Sequence, residues 1–277
     1  MNTLYIVATP IGNLEDISTR AIHILKEVDM IAAEDTRRTA KLLNHFKITT
    51  PTTSYYEHNE LNKVDKIIAI LNKGDVALVS DAGTPGMNDP GYLLVRAALD
   101  EGYNVSPIPG PSAPVAALVA SGLPTDRFLY LGYLPRKSGE RRSNLLEVAD
   151  LPYTLVYLEA PHRISNSLED IENVLGNRRI AVCEELTKMY ESIFRGRVSE
   201  ALDHFAAQTA RGEFTLVIAG AEKKVEAWEI NTLMTVLKAE LATGRPPSMI
   251  AKEVSLKCGW PRRKVYDLLT SLIQERK

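Results

Sequence analysis

The stretch VALVSDAGTPGMNDPGYLLVRAALDEG, residues 76–102, decides the fold of this chain. It opens with an apolar run typical of a buried strand and closes with apolar residues at helical spacing before Gly102. Between them, residues 81–91 contain three Gly, two Pro and two Asp. An ordinary turn is one interpretation, but the length and composition favour a loop whose backbone approaches a ligand closely. A strand, such a loop and a helix form the unit of a parallel α/β sheet.

The same alternation extends through the first part of the chain. Strands are predicted at residues 4–8, 30–33, 52–55, 76–80 and 105–108, with amphipathic helices between them. A Pro- and Gly-bounded Ala/Val helix, PGPSAPVAALVASGLP at residues 109–124, follows the last strand. We therefore predict a first α/β domain at residues 1–123, with a mostly parallel sheet covered by helices.

The remainder divides into two further parts. Strands are predicted at residues 128–132, 153–158, 180–184, 192–196 and 214–219, with few helices that could cross between parallel strands. This predicts a second α/β domain at residues 124–224 with a mixed or antiparallel sheet. Residues 225–277 predict three short helices joined by tight turns, a small module that resembles a helix-turn-helix.

Composition places the chain among ordinary globular proteins. It has 277 residues, 45% of them hydrophobic and 25% charged, and no apolar run of about 20 residues that could cross a bilayer. Its two cysteines, Cys183 and Cys258, lack partners at metal-ligand spacing. We expect no secretion, no membrane insertion and no metal site, and a location in the reducing cytoplasm.

Basic residues concentrate in the C-terminal part. The net charge of the chain is −2, yet residues 225–277 hold nine Lys and Arg against six Asp and Glu. Arg262, Arg263 and Lys264 stand where the last helix should begin, and a helix N-terminus favours phosphate. Two interpretations stay open: contact with RNA, or a plain helical cap or dimerisation element.

Three other loops should lie at the same edge of the first sheet as residues 81–91, since ligands collect at the carboxyl ends of parallel strands. They are TPIGNLED (9–16), AAEDTRRTAKLL (32–43) and SYYEHNE (54–60). The first of them, residues 9–16, lacks the Lys-Ser/Thr ending of a Walker loop, which disfavours a nucleoside triphosphatase. Neither it nor residues 81–91 has the GxGxxG spacing of a dinucleotide site, which disfavours a nicotinamide or flavin enzyme. Asp35 and its neighbours fit a salt-bridged helix start, and His58 fits a surface residue, unless they serve the site.

Six segments match one known family in order and spacing. TPIGNLEDIS, AAEDTRRT, VSDAGTPGMNDPG, IPGPSA, LEAPHRI and CEELTK closely resemble the signature segments of the bacterial 16S ribosomal RNA cytidine 2′-O-methyltransferases, members of the tetrapyrrole-methylase superfamily. The resemblance runs from residue 3 to about residue 220, and the basic tail resembles the C-terminal extension of that family.

The resemblance implies a fold, a cofactor and partners. The fold is two α/β domains with S-adenosylmethionine in the cleft between them, usually in a homodimer, and the substrate is 16S ribosomal RNA in the small ribosomal subunit. By similarity the cofactor contacts Pro10, Asp81, Ala82, Gly83, Thr84, Ser112, Ala113, Leu158, Leu186 and Val217. The TPIGN loop departs from the GPGD-like form of the porphyrin-biosynthesis relatives, which puts a tetrapyrrole substrate in doubt.

The implied reaction is an in-line attack of a ribose 2′-oxygen on the sulfonium methyl group. A hydroxyl is a poor nucleophile, so a base or a stabilising cation is needed, and Asp35, His58 and Lys188 are the candidates. Arg37, Arg38, Arg141, Arg142 and Arg163, together with the tail residues Arg262, Arg263 and Lys264, are predicted RNA contacts. Tyr55 and Tyr56 could stack on a base or close a sheet edge, and Arg141 and Arg142 could be a solvated loop.

Three alternatives remain open at this level. A small-molecule methylase would share the fold but not the substrate. A non-catalytic ribosome-binding module would hold the cofactor only as a ligand. A nucleotide-binding interaction protein would rest on the loops alone and would prefer ATP to S-adenosylmethionine. Fold analogy by itself does not choose among them.

Overall fold

A computed structural model describes residues 2–206, 212–222 and 227–274. The chain forms two compact units, Met1–Ala221 and Glu222–Lys277. The first unit contains β1 (Thr3–Val7), α1 (Thr19–Glu27), β2 (Met30–Ala33), α2 (Thr36–His45), β3 (Thr52–Ser54), α3 (Glu60–Leu71), β4 (Val76–Val79), α4 (Tyr92–Asp100), β5 (Asn104–Ile108) and α5 (Ala113–Ala120). It continues with β6 (Phe128–Tyr133), α6 (Ser138–Glu147), β7 (Thr154–Glu159), α7 (Ile164–Leu175), β8 (Arg179–Glu184), β9 (Ser192–Arg197), α8 (Val198–Ala206) and β10 (Phe214–Ile218). The second unit contains α9 (Ile230–Ala242), α10 (Pro247–Cys258) and α11 (Arg262–Gln274).

The first sheet is wholly parallel, in the order β3-β2-β4-β1-β5, which confirms the prediction. Helices α1 and α2 pack on one face around Leu25 and Leu43, and α3 and α4 pack on the other around Leu71 and Leu94. The chain leaves β1 toward β2 and leaves β4 toward β5, in opposite directions along the sheet. Neighbouring strands whose connections diverge in this way open a crevice at their carboxyl ends.

The second sheet is mixed, in the order β6-β7-β10-β8-β9, as the sequence predicts. Only the β6–β7 pair is parallel among its four pairings. Helices α6, α7 and α8 cover one face with a core that includes Leu145, Leu168 and Phe205. Helix α5 covers the other face through Ala117 and Leu118, so the helix that follows the first sheet is part of the core of the second.

Residues 138–147 correct the interpretation of an Arg-rich loop, because they form helix α6. Arg141 and Leu145, four residues apart, are its buried residues. The Arg141 guanidinium lies 2.6 Å from the Asp170 carboxylate of α7, and its side chain is only 3% exposed. A charged residue at a core position hides the apolar stripe by which such a helix would be recognised.

The C-terminal unit has the three helices expected from its sequence. They enclose a core of their own that includes Leu233, Ile250, Val254 and Leu269. Gly259 ends α10 in the left-handed conformation, with φ +67°, which a glycine adopts without strain. No helix in the described ranges is long and apolar enough to cross a membrane.

Candidate functional site

Four loops meet at the carboxyl edge of the first sheet. The loop after β1 pairs with the loop after β4, where the Thr9 amide donates to the Gly83 carbonyl at 2.8 Å and the Gly83 amide returns a bond of 3.0 Å. Gly83 has φ +80°, a conformation that favours glycine. The Thr84 hydroxyl donates to the Pro111 carbonyl at 3.4 Å and so connects the loop after β4 to the loop before α5.

Asp81 connects the loop after β4 to the loop after β2. Its amide donates to Glu34 Oε2 at 3.1 Å, and its Oδ1 accepts from the Asp35 amide at 3.0 Å. Its Oδ2 lies 3.1 Å from Arg38 Nη1. Hydrogen bonds of its backbone and side chain therefore hold the Asp81 carboxylate in place, and its Oδ2 forms an ion pair with Arg38 at the surface.

A cavity of about 260 Å³ lies between these loops and the second sheet. The loops provide one wall, and β6, β7 and β10 provide the other through Tyr130, Leu158 and Thr215. Of the ten predicted cofactor residues, seven line this cavity: Asp81, Ala82, Gly83, Thr84, Ser112, Ala113 and Leu158. Loops distant in sequence thus form one concave surface, as expected for a ligand site.

The other three predicted cofactor residues lie elsewhere. Pro10 lines a smaller neighbouring cavity of about 160 Å³, which also reaches Asp81. Val217 is completely buried, and Leu186 packs against the same cluster. Thr215, two residues before Val217 on the same face of β10, lines the main cavity instead.

The wall of the cavity is strongly acidic. Among the described residues that line it, five are carboxylates, Glu34, Asp81, Asp89, Glu159 and Glu213, and one is basic, Arg38. Burial and the nearby charge of Glu34 raise the pKa of Asp89 to about 6, and burial also raises the pKa of Glu34. Burial is the main cause of both shifts and neighbouring carboxylates add to it, so a cationic ligand in the cavity would favour the ionised forms of these groups.

The three predicted catalytic residues lie outside the residues that line this cavity. Asp35 caps α2, and hydrogen bonds from the Arg37 side chain and amide lower its pKa, which makes it a weak base. His58 is exposed in the turn before α3. Neither arrangement brings a proton acceptor to the cavity wall.

Lys188 reaches the cavity wall through an ion pair. Its Nζ is 2.7 Å from Glu185 and 3.6 Å from Glu213, which lines the cavity. Burial lowers the pKa of Lys188, but hydrogen bonds and charge from Glu185 and Glu213 outweigh it, so the pKa is raised and the side chain stays protonated. A Cβ on Gly12 would lie 2.5 Å from Lys188 Cγ, so the TPIGN loop needs glycine to pack here.

The basic residues predicted to contact RNA occupy four kinds of position. Arg38 lines the cavity, while Arg37 is exposed and paired with Asp35 at 2.8 Å. Arg141, Arg142 and Arg163 pair with interior carboxylates, the first two with Asp170 and the third with Glu159. Arg262, Arg263 and Lys264 are exposed on the first turn of α11.

Arg141 is unavailable to phosphate in this structure, because its side chain is buried and fully engaged. Tyr55 is likewise completely buried and donates to Glu60 at 3.2 Å, which corrects the idea that it stacks on a base. Tyr56 remains 41% exposed.

Sequence reasoning missed several residues of the cavity wall, among them Asp89, Tyr130, Tyr133 and Glu213. Asp89 stands within the Gly- and Pro-rich loop, so its position in that loop was an available signal. Tyr130 and Tyr133 belong to β6 and Glu213 directly precedes β10, where no motif marks them, and only folding brings them to the loops.

Comparisons with known proteins agree with this architecture. Residues 3–202 match the sequence model of the tetrapyrrole (corrin/porphyrin) methylases. The chain is 47% identical to ribosomal RNA small subunit methyltransferase I of Halalkalibacterium halodurans over 271 residues, covering 96% of this chain and 94% of the relative. It is 44% identical to the protein of the same name from Synechocystis sp. over 275 residues, covering 98% and 99%.

The crystal structure of a diphthine synthase superposes with a TM-score of 0.63 at 14% identity, covering 79% of this chain and 90% of that one, and so shares the fold. The chain therefore belongs to the tetrapyrrole (corrin/porphyrin) methylase family and, within it, to the group of ribosomal RNA small subunit methyltransferase I proteins.

Proposed function

We propose that the protein is an S-adenosylmethionine-dependent methyltransferase that methylates the ribose 2′-oxygen of a cytidine in 16S ribosomal RNA. The acidic cavity between the loops of the first sheet and the second sheet carries this proposal, because it fits a cationic methyl donor. Nearly full-length similarity to small-subunit ribosomal RNA methyltransferases supports the substrate class.

The residues present fit the cofactor. When bound, S-adenosylmethionine supplies the methyl group from a positively charged sulfonium centre. Glu34 and Asp89, which form no ion pair among the described residues, offer negative charge to its sulfonium and ammonium groups, whereas Asp81, Glu159 and Glu213 are already paired with Arg38, Arg163 and Lys188. The backbone at Ala82 and Gly83 lets a flat group approach closely. Ser112 and Thr84 offer hydroxyl groups at the same wall.

Asp89 is the wall group best suited to accept the proton of the ribose hydroxyl. Its raised pKa, about 6, is near neutral pH, where a general base works well.

Asp35, His58 and Lys188 have other roles in this proposal. Protonated Lys188 provides positive charge beside Glu213, while Asp35 holds Arg37, and His58 is a candidate for contact with RNA from the edge of the first sheet.

RNA is proposed to approach from the surface that carries Arg38, with the exposed residues Arg262, Arg263 and Lys264 as further phosphate contacts.

We also propose that the protein acts as a homodimer in the cytoplasm, where ribosomal subunits are made. Tyr92, Val115 and Val119 on α4 and α5 are exposed apolar side chains available for association. Light scattering after size exclusion measures the mass of the assembly.

Methyl transfer from labelled S-adenosylmethionine to small ribosomal subunits from cells that lack this protein tests the function. Mapping the product should locate label on the 2′-oxygen of one cytidine. Label on a base, or on a tetrapyrrole in place of RNA, would contradict the proposed acceptor. Cofactor binding without transfer to subunits or free RNA would favour a ribosome-binding module instead.

A further inference from the structure

A second cavity, of about 580 Å³, adjoins the first at the ends of β6 and β7. Tyr133 lines both cavities. Glu159 and Ala160 are consecutive in the chain, and the former lines the first cavity while the latter lines the second. A molecule that occupies both would therefore pass Tyr133, whose side chain is about half exposed at 51%.

The two cavities carry opposite charge. Where the first has five carboxylates, the second is lined by Arg136, His162 and Arg163, and no carboxylate is among the described residues that line it. Arg163 is partly neutralised by Glu159 at 2.5 Å. The side chains of Arg136 and His162 are exposed and have no hydrogen-bond or ion-pair partner in the described part of the chain. These two groups are available to an anion.

The backbone that carries Arg136 is held from both sides. Arg163 Nη1 donates to the Leu134 carbonyl at 3.3 Å. Buried Arg141, anchored by Asp170, donates to the carbonyls of Pro135 and Arg136 at 3.2 and 3.3 Å. Three consecutive carbonyls are thus bound by two fixed guanidinium groups, so the rim is preorganised before any ligand arrives.

We infer that this second cavity binds the phosphodiester on the 3′ side of the ribose that is methylated, an inference that rests on the proposed function. In RNA the 2′-oxygen and the 3′-phosphate are borne by adjacent ribose carbons. An anion site next to the donor cavity would therefore hold the acceptor oxygen at their common wall, near Tyr133. Arg136 offers the planar pair of donors that matches two phosphate oxygens, and His162 offers a further ring donor.

The test measures equilibrium binding of small ribosomal subunits over a series of salt concentrations. Arg136→Ala should weaken binding about tenfold at 0.1 M salt, equivalent to about 1.4 kcal/mol, and should lower the slope of log affinity against log salt by about 0.7. Arg136→Lys keeps the charge and should retain most of the slope. His162→Ala should also weaken binding, and S-adenosylmethionine affinity should stay unchanged in all three variants.

Arg179→Ala is the matched control, because Arg179 is an exposed arginine that lines a different basic cavity at the start of β8. An unchanged slope in Arg136→Ala, or an equal loss in the control, would overturn the assignment, as would weaker cofactor binding in place of weaker subunit binding. Methyl transfer by the unaltered protein is measured separately. If it fails, the proposed function fails, while the salt slope still decides whether an anion site exists.

Discussion

Two groups of carboxylates in this protein, one buried and one half-buried, differ in how their charge is balanced. Asp170 of α7 is 2% exposed and accepts hydrogen bonds from Ser138, Arg141 and Arg142 of α6. Burial opposes its ionisation, but these hydrogen bonds outweigh burial and lower its pKa. In the cavity, Asp89 and Glu34 have raised pKa values, because burial is added to the charge of neighbouring carboxylates.

The difference distinguishes a structural cluster from a functional one. Asp170 has its cations within the protein, whereas Asp89 and Glu34 form no ion pair among the described residues and would be balanced by a cationic ligand. Charge that the fold leaves unbalanced at a concave surface is therefore the better guide to function than the number of charged residues in a segment.

The largest effect is expected when the balanced cluster loses its carboxylate. Asp170→Ala leaves the Arg141 guanidinium buried without its partner, so the free energy of unfolding should fall by about 3–5 kcal/mol. Urea unfolding measures it. Glu169→Ala, an exposed neighbour on the same helix, should stay within about 0.5 kcal/mol of the unaltered protein. If the free energy of unfolding fell no further in Asp170→Ala than in Glu169→Ala, burial of the Arg141 charge would not depend on Asp170.

A substitution in the cavity should lower the rate of methyl transfer without lowering the free energy of unfolding. Asp89→Asn keeps the size of the side chain but removes the proton acceptor, so single-turnover methyl transfer with saturating cofactor should slow by about 100-fold. Its stability at pH 7 should not fall, since the charge that burial disfavours is gone. Asp65→Asn on the exposed face of α3 is the control. A normal rate in Asp89→Asn would assign the proton to another group.

Lowering the pH should weaken cofactor binding, although protonation of Asp89 should itself stabilise the folded protein. Because the folded pKa of Asp89, about 6, lies above its ordinary 3.8, the folded protein takes up the proton first, and the contribution of Asp89 to stability rises as pH falls from about 6 toward 3.8. The same protonation removes a negative charge from the cavity. S-adenosylmethionine affinity should fall roughly three- to tenfold between pH 7 and 5 by titration calorimetry. Asp89→Asn should show a smaller fall, and an identical fall would contradict the assignment.

The smallest effects are expected when an exposed arginine of either unit is changed to alanine. Arg142, 52% exposed although paired with Asp170, should cost about 1 kcal/mol or less when changed to alanine. Arg262→Ala should leave unfolding of the chain unchanged but lower the salt slope of subunit binding by about 0.7, if the C-terminal helix contacts RNA. If the dependence of subunit binding on salt were unchanged in Arg262→Ala, the C-terminal helix would be interpreted as a cap or a dimerisation element and not as an RNA contact.

The positions of most elements could be predicted because each depends on local pattern. Short apolar runs, helical spacing and glycine stops place β4, α4 and their loop, and the same reasoning places the strands of the second sheet. The prediction failed at α6, where the buried face carries Arg141 in place of an apolar residue. Local hydrophobicity cannot indicate that a partner 29 residues away, Asp170, makes burial of that charge favourable.

The sequence by itself determined the fold class, the loop of residues 81–91 and the family, because loop chemistry and periodicity are written in consecutive residues. Only the tertiary structure decided which charges are balanced. It brought Asp89 beside Glu34, joined Arg141 to Asp170, and set a basic cavity next to an acidic one across Tyr133. Electrostatic energy depends on distance in space and on burial, and neither quantity follows from separation along the chain.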